Sequence, residues 1–527
     1  MQVDIHNIEI PIDVPQEEAI LEALDIRGVA AENIAALSWN RRSLDMRQKR
    51  RLKFLYSLRI TLKMPANLAF GKDIVPVPAE TPEIRAPKYP GREVVVIGAG
   101  PAGLFAALRL TRYGCVPLVY EMGEPVDART LTTARFIREG ILDSRSNIQF
   151  GEGGAGTFSD GKLNTRIKSS LIADVFEELV AAGADPRIRW DYKPHLGTDV
   201  LKTVVTALRK MIEATGGRFF FGRKMEELVI KEGRVAGIQV ADPKGAREFV
   251  PCDCVILATG HSSRETYRML GQIGCAMAPK PFAMGFRMEH RQEDIDRMQY
   301  GPWAGHPALG PATYSVTYHN KRENRGVFSF CMCPGGEIVN AASNPGASLV
   351  NGMSEAARAG KFANAGLVAG IGPADLGPEL FAGMELQERL ERQIYALMGT
   401  YGALWQNMED FLTGTPSRGE IKTSYRMSLK PYPLGDLLPP YLTANIRAAL
   451  LAWQEKYPGF AGKNANLFGL ETRTSSPLRI LRDENGESLN IKGLFPVGEG
   501  AGYAGGITSS AVDGIGVVDR NFSVISL

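Results

Sequence analysis

Two stretches near the start of the chain, VDIHNIEIPI and LKFLYSLRITL, alternate apolar and polar residues with the period of half-buried strands. Between them PQEEAILEALDI spaces its apolar residues at helical intervals behind a proline, which suits a first helical turn. The Pro-rich run IVPVPAETPEIRAPKYPG then reads as a linker, so residues 1–88 are expected to form a small α/β module of ferredoxin-like size. At EVVVIGAG the pattern changes. Val94–Ile97 form an unbroken apolar run, the signature of a strand covered on both faces of a parallel sheet. Leu104, Ala107, Leu108 and Thr111 recur at helical spacing and give the next helix one inward face. Gly114 ends that helix, and VPLVYE makes a second strand. Far downstream, CDCVILATG and GLFPVGEG repeat the buried-strand pattern.

Between the first two of these parallel strands lie Gly98, Gly100 and Gly103, at G-x-G-x-x-G spacing. Gly98 permits a tight turn, Gly100 lets main chain approach a pyrophosphate, and Gly103 lets the helix pack against the sheet. Pro101 fits the first helical turn, where a missing N–H costs nothing. Glu121 closes the second strand 18 residues after Gly103, placed to accept ribose hydroxyls. Strand, turn, helix and acid together point to a dinucleotide.

Composition narrows the class further. The 527 residues are 44% hydrophobic and 23% charged, as in soluble globular proteins with room for two or three domains. Sixty-one basic residues against 58 acidic ones leave a net charge of +3, which argues against nucleic acid as a partner. The run NRRSLDMRQKRRLKF concentrates seven Lys/Arg between Arg41 and Lys53 and reads as a solvated loop between strands; an RNA-gripping patch is the alternative. The longest apolar stretch, VVVIGAGPAGLFAAL, is broken by four Gly/Pro positions, so no membrane span is expected. MQVDIHNIEIPID has no basic region followed by an apolar run, so no secretory signal is expected. Six cysteines form no disulfide framework, and a cytoplasmic location is the expectation.

The choice between FAD and NAD rests on two distant segments. CDCVILATG ends in Ala258-Thr259-Gly260, where the chain can pass close to a dinucleotide. GLFPVGEGAGYAGGITSSAVDGIG offers a strand, then Gly498-Glu499-Gly500, then a glycine pair opening a helix. This combination resembles the flavoproteins of the glutathione-reductase type, which implies a Rossmann-like FAD domain. In that family the corresponding acid contacts the ribityl or pyrophosphate region, and the following helix points its N-terminus at the flavin ring. Such an N-terminus carries about half a positive charge and would stabilise a reduced flavin anion. Gly505, Gly506 and Ile507 are therefore the expected main-chain contacts to the ring. No second G-x-G-x-x-G with its own strand and helix and no C-x-x-C dithiol occur, so any NAD(P)H would dock only transiently.

The stretch GTFSDGKL reads G-x-x-x-x-G-K but places Leu163 where a triphosphatase needs a hydroxyl for magnesium, and it does not follow a strand into a helix. It reads instead as a flavin-side loop. Gly151, Gly153, Gly154 and Gly156 would allow close approach, Thr157 and Ser159 would add hydroxyls, and Lys162 and Arg166 would add positive charge. The expected cofactor set is completed by Ala102, Arg129 and Met225.

The motifs GEGGAGTFSDGKL, ATGHSSRETY, PFAMGFRMEH, FCMCPGGEIVNAAS, NGMS, ETRTSSPLRI and GLFPVGEGAGYAGGI, spread over residues 90 to 520, resemble a family of bacterial FAD-dependent dehydrogenases with a small N-terminal domain. That resemblance implies an FAD domain in two pieces, 89–274 and 476–527, interrupted by an α+β substrate domain over 275–475. It implies no defined substrate.

Candidates for chemistry follow. Arg473 is expected near the flavin, clamping a carboxylate substrate or offsetting a flavin anion, or else paired with Glu471 or another acid. His261 follows the ATG strand as a general base, or as a histidine tied to main chain near the adenine end. Cys331 and Cys333, two apart on one strand face, could relay electrons or serve as small buried hydrophobes. Tyr300, Trp303, Tyr314, Tyr318, Tyr425 and Tyr432 suit a pocket for an apolar acid, or an ordinary core. No metal site is expected. The reading is an FAD-dependent oxidoreductase of a small molecule; an RNA-modifying flavoprotein and a flavin-dependent monooxygenase are the alternatives.

Overall fold

The computed structural model describes residues 1–78 and 85–525, so the middle of the Pro-rich linker lies outside the described residues. At the N-terminus, strands Gln2–Pro11, Ile34–Asp45, Lys53–Leu62 and Ile74–Pro76 form an antiparallel sheet with Lys53–Leu62 and Gln2–Pro11 in the middle. Lys53–Leu62 alternates strictly, burying Phe54, Tyr56, Leu58, Ile60 and Leu62. A single helix, Gln16–Asp25, covers the sheet through Ile20 and Leu24. A ferredoxin-like arrangement needs a second helix before its last strand; residues 63–73, interrupted by Pro65 and Gly71, supply only turns. The basic run also differs from a loop. Asn40–Asp45 continue a strand, because IAALSW pairs along Lys53–Leu62 and carries the following residues with it.

Nor does this unit stand apart. Its core residues run into one apolar cluster with those of the central sheet. Trp39 stacks on Trp190 at 5.1 Å, and Arg42 pairs with Asp191 at 2.8 Å while lying over the same indole.

Five parallel strands make the second sheet, in the order Leu494–Pro496, Val255–Leu257, Glu93–Ile97, Val116–Glu121, Arg218–Phe221. Val94 and Val96 face helices Pro101–Arg112 and Gly197–Ala214, whereas Val95 and Ile97 face the three-stranded antiparallel sheet of residues 224–251. Both faces are covered, which is why the strand needs no polar alternation. Helix Ile507–Phe522 crosses Pro101–Arg112 so closely that a Cβ on Gly514 would strike the Ala102 carbonyl. The last parallel strand thus returns beside the fourth after more than two hundred intervening residues.

Those intervening residues build a seven-stranded, mostly antiparallel sheet. Its order is Thr317–Asn320, Arg325–Cys333, Phe362–Ile371, Phe282–Arg291, Asn466–Glu471, Ala403–Asn407, Leu429–Pro431. Helices Ala382–Met398 and Pro440–Lys456 contribute to its apolar packing. Among the described residues no helix is long and apolar enough to cross a membrane.

Candidate functional site

The first parallel strand delivers the chain into a turn that only glycine fits. Gly98 sits at φ +101°, and a Cβ there would come within 2.5 Å of the Ala258 carbonyl oxygen. Gly103 faces inward, where a Cβ would collide with the carbonyl of Gly98. Glu121 ends the next strand and locks the turn. Its Oε2 accepts from the Ala99 N–H (2.8 Å), and its Oε1 accepts from Gly123 (2.9 Å) and Gly151 (3.1 Å). One Oε2 lone pair remains for a ligand hydroxyl.

A cavity of about 620 Å³ opens above this turn, within the range of roughly 300–1,000 Å³ usual for cofactor sites. Gly98, Gly100, Pro101, Ala102, Glu121, Met225, Thr259 and Gly260 line it, and so do Glu499, Gly505, Gly506 and Ile507. The two distant glycine segments therefore share one space. They also touch, since a Cβ on Gly498 would lie 2.7 Å from that of Ala102. Helix Ile507–Phe522 begins at the wall with no acidic residue in its first turn. Gly260, Gly505 and Gly506 face open space where side chains would stand.

Five of the expected cofactor residues lie outside this wall. Gly103 and Gly498 serve packing, and the Gly498 N–H donates to Asp513 at 2.7 Å. Arg129 is wholly buried and donates to the carbonyls of Asn147, Ile148 and Glu152 at 2.6–3.0 Å, pinning the glycine loop from behind. Thr157 turns its hydroxyl back to the Glu152 carbonyl, and Gly153 leaves no room beside it. The loop itself meets the cavity with Gly151, Gly154 and Gly156, and the Gly153 N–H ties it to the Ala99 carbonyl. It is a short 3-10 turn, Gly154–Phe158, and not a strand-to-helix phosphate loop.

Lys162, His261 and Arg473 all reach the cavity. Lys162 donates to the Met332 carbonyl and lies 3.4 Å from Asp160, which Arg358 also holds. Burial opposes its charge, but Cys331 and Asp160 raise its pKa above the ordinary value. Arg473 pairs with Glu391, not Glu471. Its Nη2 and Nε lie 2.6 and 2.9 Å from that carboxylate, with further bonds to Ser343 and Asn344. Arg264 grips Glu391 from another side, at 2.8 Å twice. Burial would raise the Glu391 pKa, yet the two guanidiniums hold it well below the carboxylate range. The triad leaves one net positive charge in the wall. Glu471 instead pairs with Arg287 at 2.9 Å.

Burial, with Arg473 and Arg264 near, pulls His261 down to about 4, so its imidazole is neutral at pH 7. Its Nε2 is buried without a partner, and its Nδ1 is 3.6 Å from Glu499. Burial lifts Glu499 to about 7. Of the two readings of the aromatic residues, the ordinary core is the one the structure shows, and none of the six lines this wall. Tyr300, Tyr314 and Tyr425 are buried, while Trp303, Tyr318 and Tyr432 pack on the central core. Sequence reasoning missed Glu391, one charged residue among many on Ala382–Met398, and also Arg145 and Arg223, which reach the Glu121 side of the cavity. Among the described residues no His/Cys/Asp/Glu cluster suits a metal.

Residues 281–474 match the family model described as FAD-dependent protein, C-terminal domain-like. An uncharacterised protein of Clostridium beijerinckii is 42% identical over 534 residues, spanning 99% of this chain and 98% of its own. The chain belongs to one family with this Clostridium beijerinckii protein. A second relative, named "Probable electron transfer flavoprotein-quinone oxidoreductase YdiS" in Escherichia coli, is 26% identical over 37% of this chain and 42% of its own. A solved glycerol-3-phosphate dehydrogenase from Bacillus halodurans complexed with FAD aligns over 81% of this chain and 64% of its own, at 12% identity and a TM-score of 0.35. The match to an FAD-dependent protein domain fits the cavity: a glycine turn, an acid with a free lone pair, a helix N-terminus and bare main chain.

Proposed function

We propose that the protein is an FAD-dependent oxidoreductase that passes a hydride between a small substrate and flavin N5. The observation that carries this reading is the single cavity shared by the Gly98–Ala102 turn and the Gly505–Ile507 helix start. Gly100 and the first turn of Pro101–Arg112 would hold the pyrophosphate, and Glu121 a ribose hydroxyl. Gly506 and Ile507 would present N–H groups and helix charge to the ring, with Gly505, whose N–H is bonded to the Ser509 hydroxyl at 3.1 Å, offering close main chain beside it. A bound flavin would supply the hydride chemistry.

This chain's residues then orient a substrate and manage its proton. The Arg264–Glu391–Arg473 triad, with one excess positive charge, favours an anionic group on the substrate. Neutral His261 and the raised carboxyl of Glu499 form a pair able to take up or release a proton near pH 7. Residues 275–475 act as the substrate domain, with NADH or NADPH as a transient donor. Six free cysteines favour a reducing cytoplasm.

The test is direct. The purified protein should carry a flavin spectrum or acquire one with added FAD, and NADH or NADPH should bleach it anaerobically. Protein that stays colourless after reconstitution would refute the reading. Of the alternatives, RNA binding is the weaker fit to the N-terminal unit. Arg42, Arg47, Lys49 and Lys53 are already engaged by Asp191, Asp45, the Met298 carbonyl and Glu9.

A further inference from the structure

Two sulfurs at the cavity have no part in this scheme. Strand Arg325–Cys333 pairs with Phe362–Ile371 as far as Phe330, then slips register before Cys333. Within the slip Cys331 takes φ +42°, a left-handed conformation that a residue with a Cβ adopts only under constraint. Such bulges re-aim side chains beside functional sites. Regular alternation would put both cysteines on one face; here Cys331 reaches the cavity wall while Cys333 is fully buried behind it. The Cys333 thiol nonetheless stays close to Cys331, donating to its carbonyl at 3.4 Å.

Two cations hold the segment. Buried Arg287 donates to the Cys331 carbonyl at 2.8 Å and to the Cys333 sulfur at 3.3 Å. Lys162 donates to the carbonyl of Met332, between them. The Thr508 hydroxyl bonds the Leu163 carbonyl at 2.7 Å, which brings the start of helix Ile507–Phe522 beside Lys162. Contact with Cys333, aided by Lys162 and Arg287 against burial, lowers Cys331 below the usual thiol range. Cys252 and Cys254 have the same spacing without this setting, and burial pushes them up to about 11 and about 12.

We propose that Cys331 and Cys333 are a redox-active dithiol, Cys331 the cavity-side thiol and Cys333 its resolving partner, exchanging two electrons with bound FAD. The proposal rests on the flavin reading above. In the forward step the two cysteines would form one S–S bond, giving up two electrons and the Cys333 thiol proton, with bound FAD as the two-electron acceptor and any further proton it takes up coming from solvent. In the reverse step a two-electron donor at the flavin would reduce the disulfide back to the dithiol.

Full-length protein equilibrated in glutathione buffers, then alkylated and mapped by mass spectrometry, should lose both alkyl groups on the 331–333 peptide together. In the reduced protein at pH 7, Cys331 should react with iodoacetamide at least about ten-fold faster than Cys252. Cys333→Ser should instead trap Cys331 as a mixed glutathione disulfide. Anaerobic reductive titration of the flavin-loaded protein, first oxidised in glutathione disulfide, should take about four electrons per flavin, and about two in Cys331→Ser. Flavin-loaded protein whose two cysteines alkylate fully in oxidised glutathione, or whose oxidised wild-type form takes only about two electrons, overturns the dithiol and leaves the flavin reading standing. Protein that forms the disulfide but never binds FAD overturns the flavin reading, and with it the electron exchange.

Discussion

Along the parallel-sheet side of the cavity the polar groups are largely main chain: the Gly98–Ala102 turn, the glycine loop and the start of Ile507–Phe522, with Glu121 fastening N–H groups of three segments. Across from it the wall is side chains in fixed pairs, Arg264 and Arg473 on Glu391, and Arg287 on Glu471 behind Cys331. The first wall would resist substitution sterically, since its atoms are set by backbone geometry. The second would resist electrostatically, because each buried charge depends on a partner contributed by a distant strand or helix. A main-chain wall suits a constant cofactor, and a side-chain wall can be altered to suit a substrate.

The largest effect should come from the second wall. Glu391→Gln leaves buried Arg473 without its paired carboxylate and Arg264 with only Glu388, 3.9 Å away, and should cost about 3–5 kcal/mol of stability, read from the urea midpoint. A loss below about 1 kcal/mol would show that the triad is solvated and would erase the contrast. Next comes pH. His261 has a lowered pKa, so its contribution is full above about 6.5 and lost as pH falls toward 4; Glu499 has a raised pKa, so its contribution is full below about 4.5 and lost as pH rises toward 7. His261→Asn and Glu499→Gln should therefore tilt the melting temperature against pH in opposite directions, each by an amount on the order of 3 kcal/mol. Parallel profiles would contradict the pairing.

For the main-chain wall, Gly98→Ala should cost about 1–3 kcal/mol and release flavin. Gly505→Ala, whose Cβ meets open cavity, should leave the melting temperature unchanged and weaken only flavin binding, measured by fluorescence titration. Equal stability losses at the two glycines would mean that the second is packed, not open. The smallest effect is expected where the N-terminal unit docks. Arg42→Ala removes one ion pair and its stacking on Trp190, for about 0.5–1 kcal/mol, measurable by chemical denaturation.

The main-chain wall was the more legible in sequence because its elements are contiguous. Strand Glu93–Ile97, helix Pro101–Arg112 and Glu121 form one run whose spacing is set by local geometry. Where the reading slipped, long-range pairing had intervened. Asn40–Asp45 became a strand through Lys53–Leu62, and the bulge at Cys331 separated two cysteines that alternation would have aligned. Arg129 and Thr157, expected at the cofactor, instead turn their donors inward to loop carbonyls.

The order of residues by itself determined the buried strands, the glycine turn, the helix behind it and the acid that fastens it, because each depends on neighbours a few positions away. Only the tertiary structure decided that Glu391 sits between Arg264 and Arg473, and that Cys331 faces the cavity beside Lys162. Burying a charge forces it to find a partner, and nothing in a sequence of scattered Arg and Glu says which strand and which helix will bring the pair together.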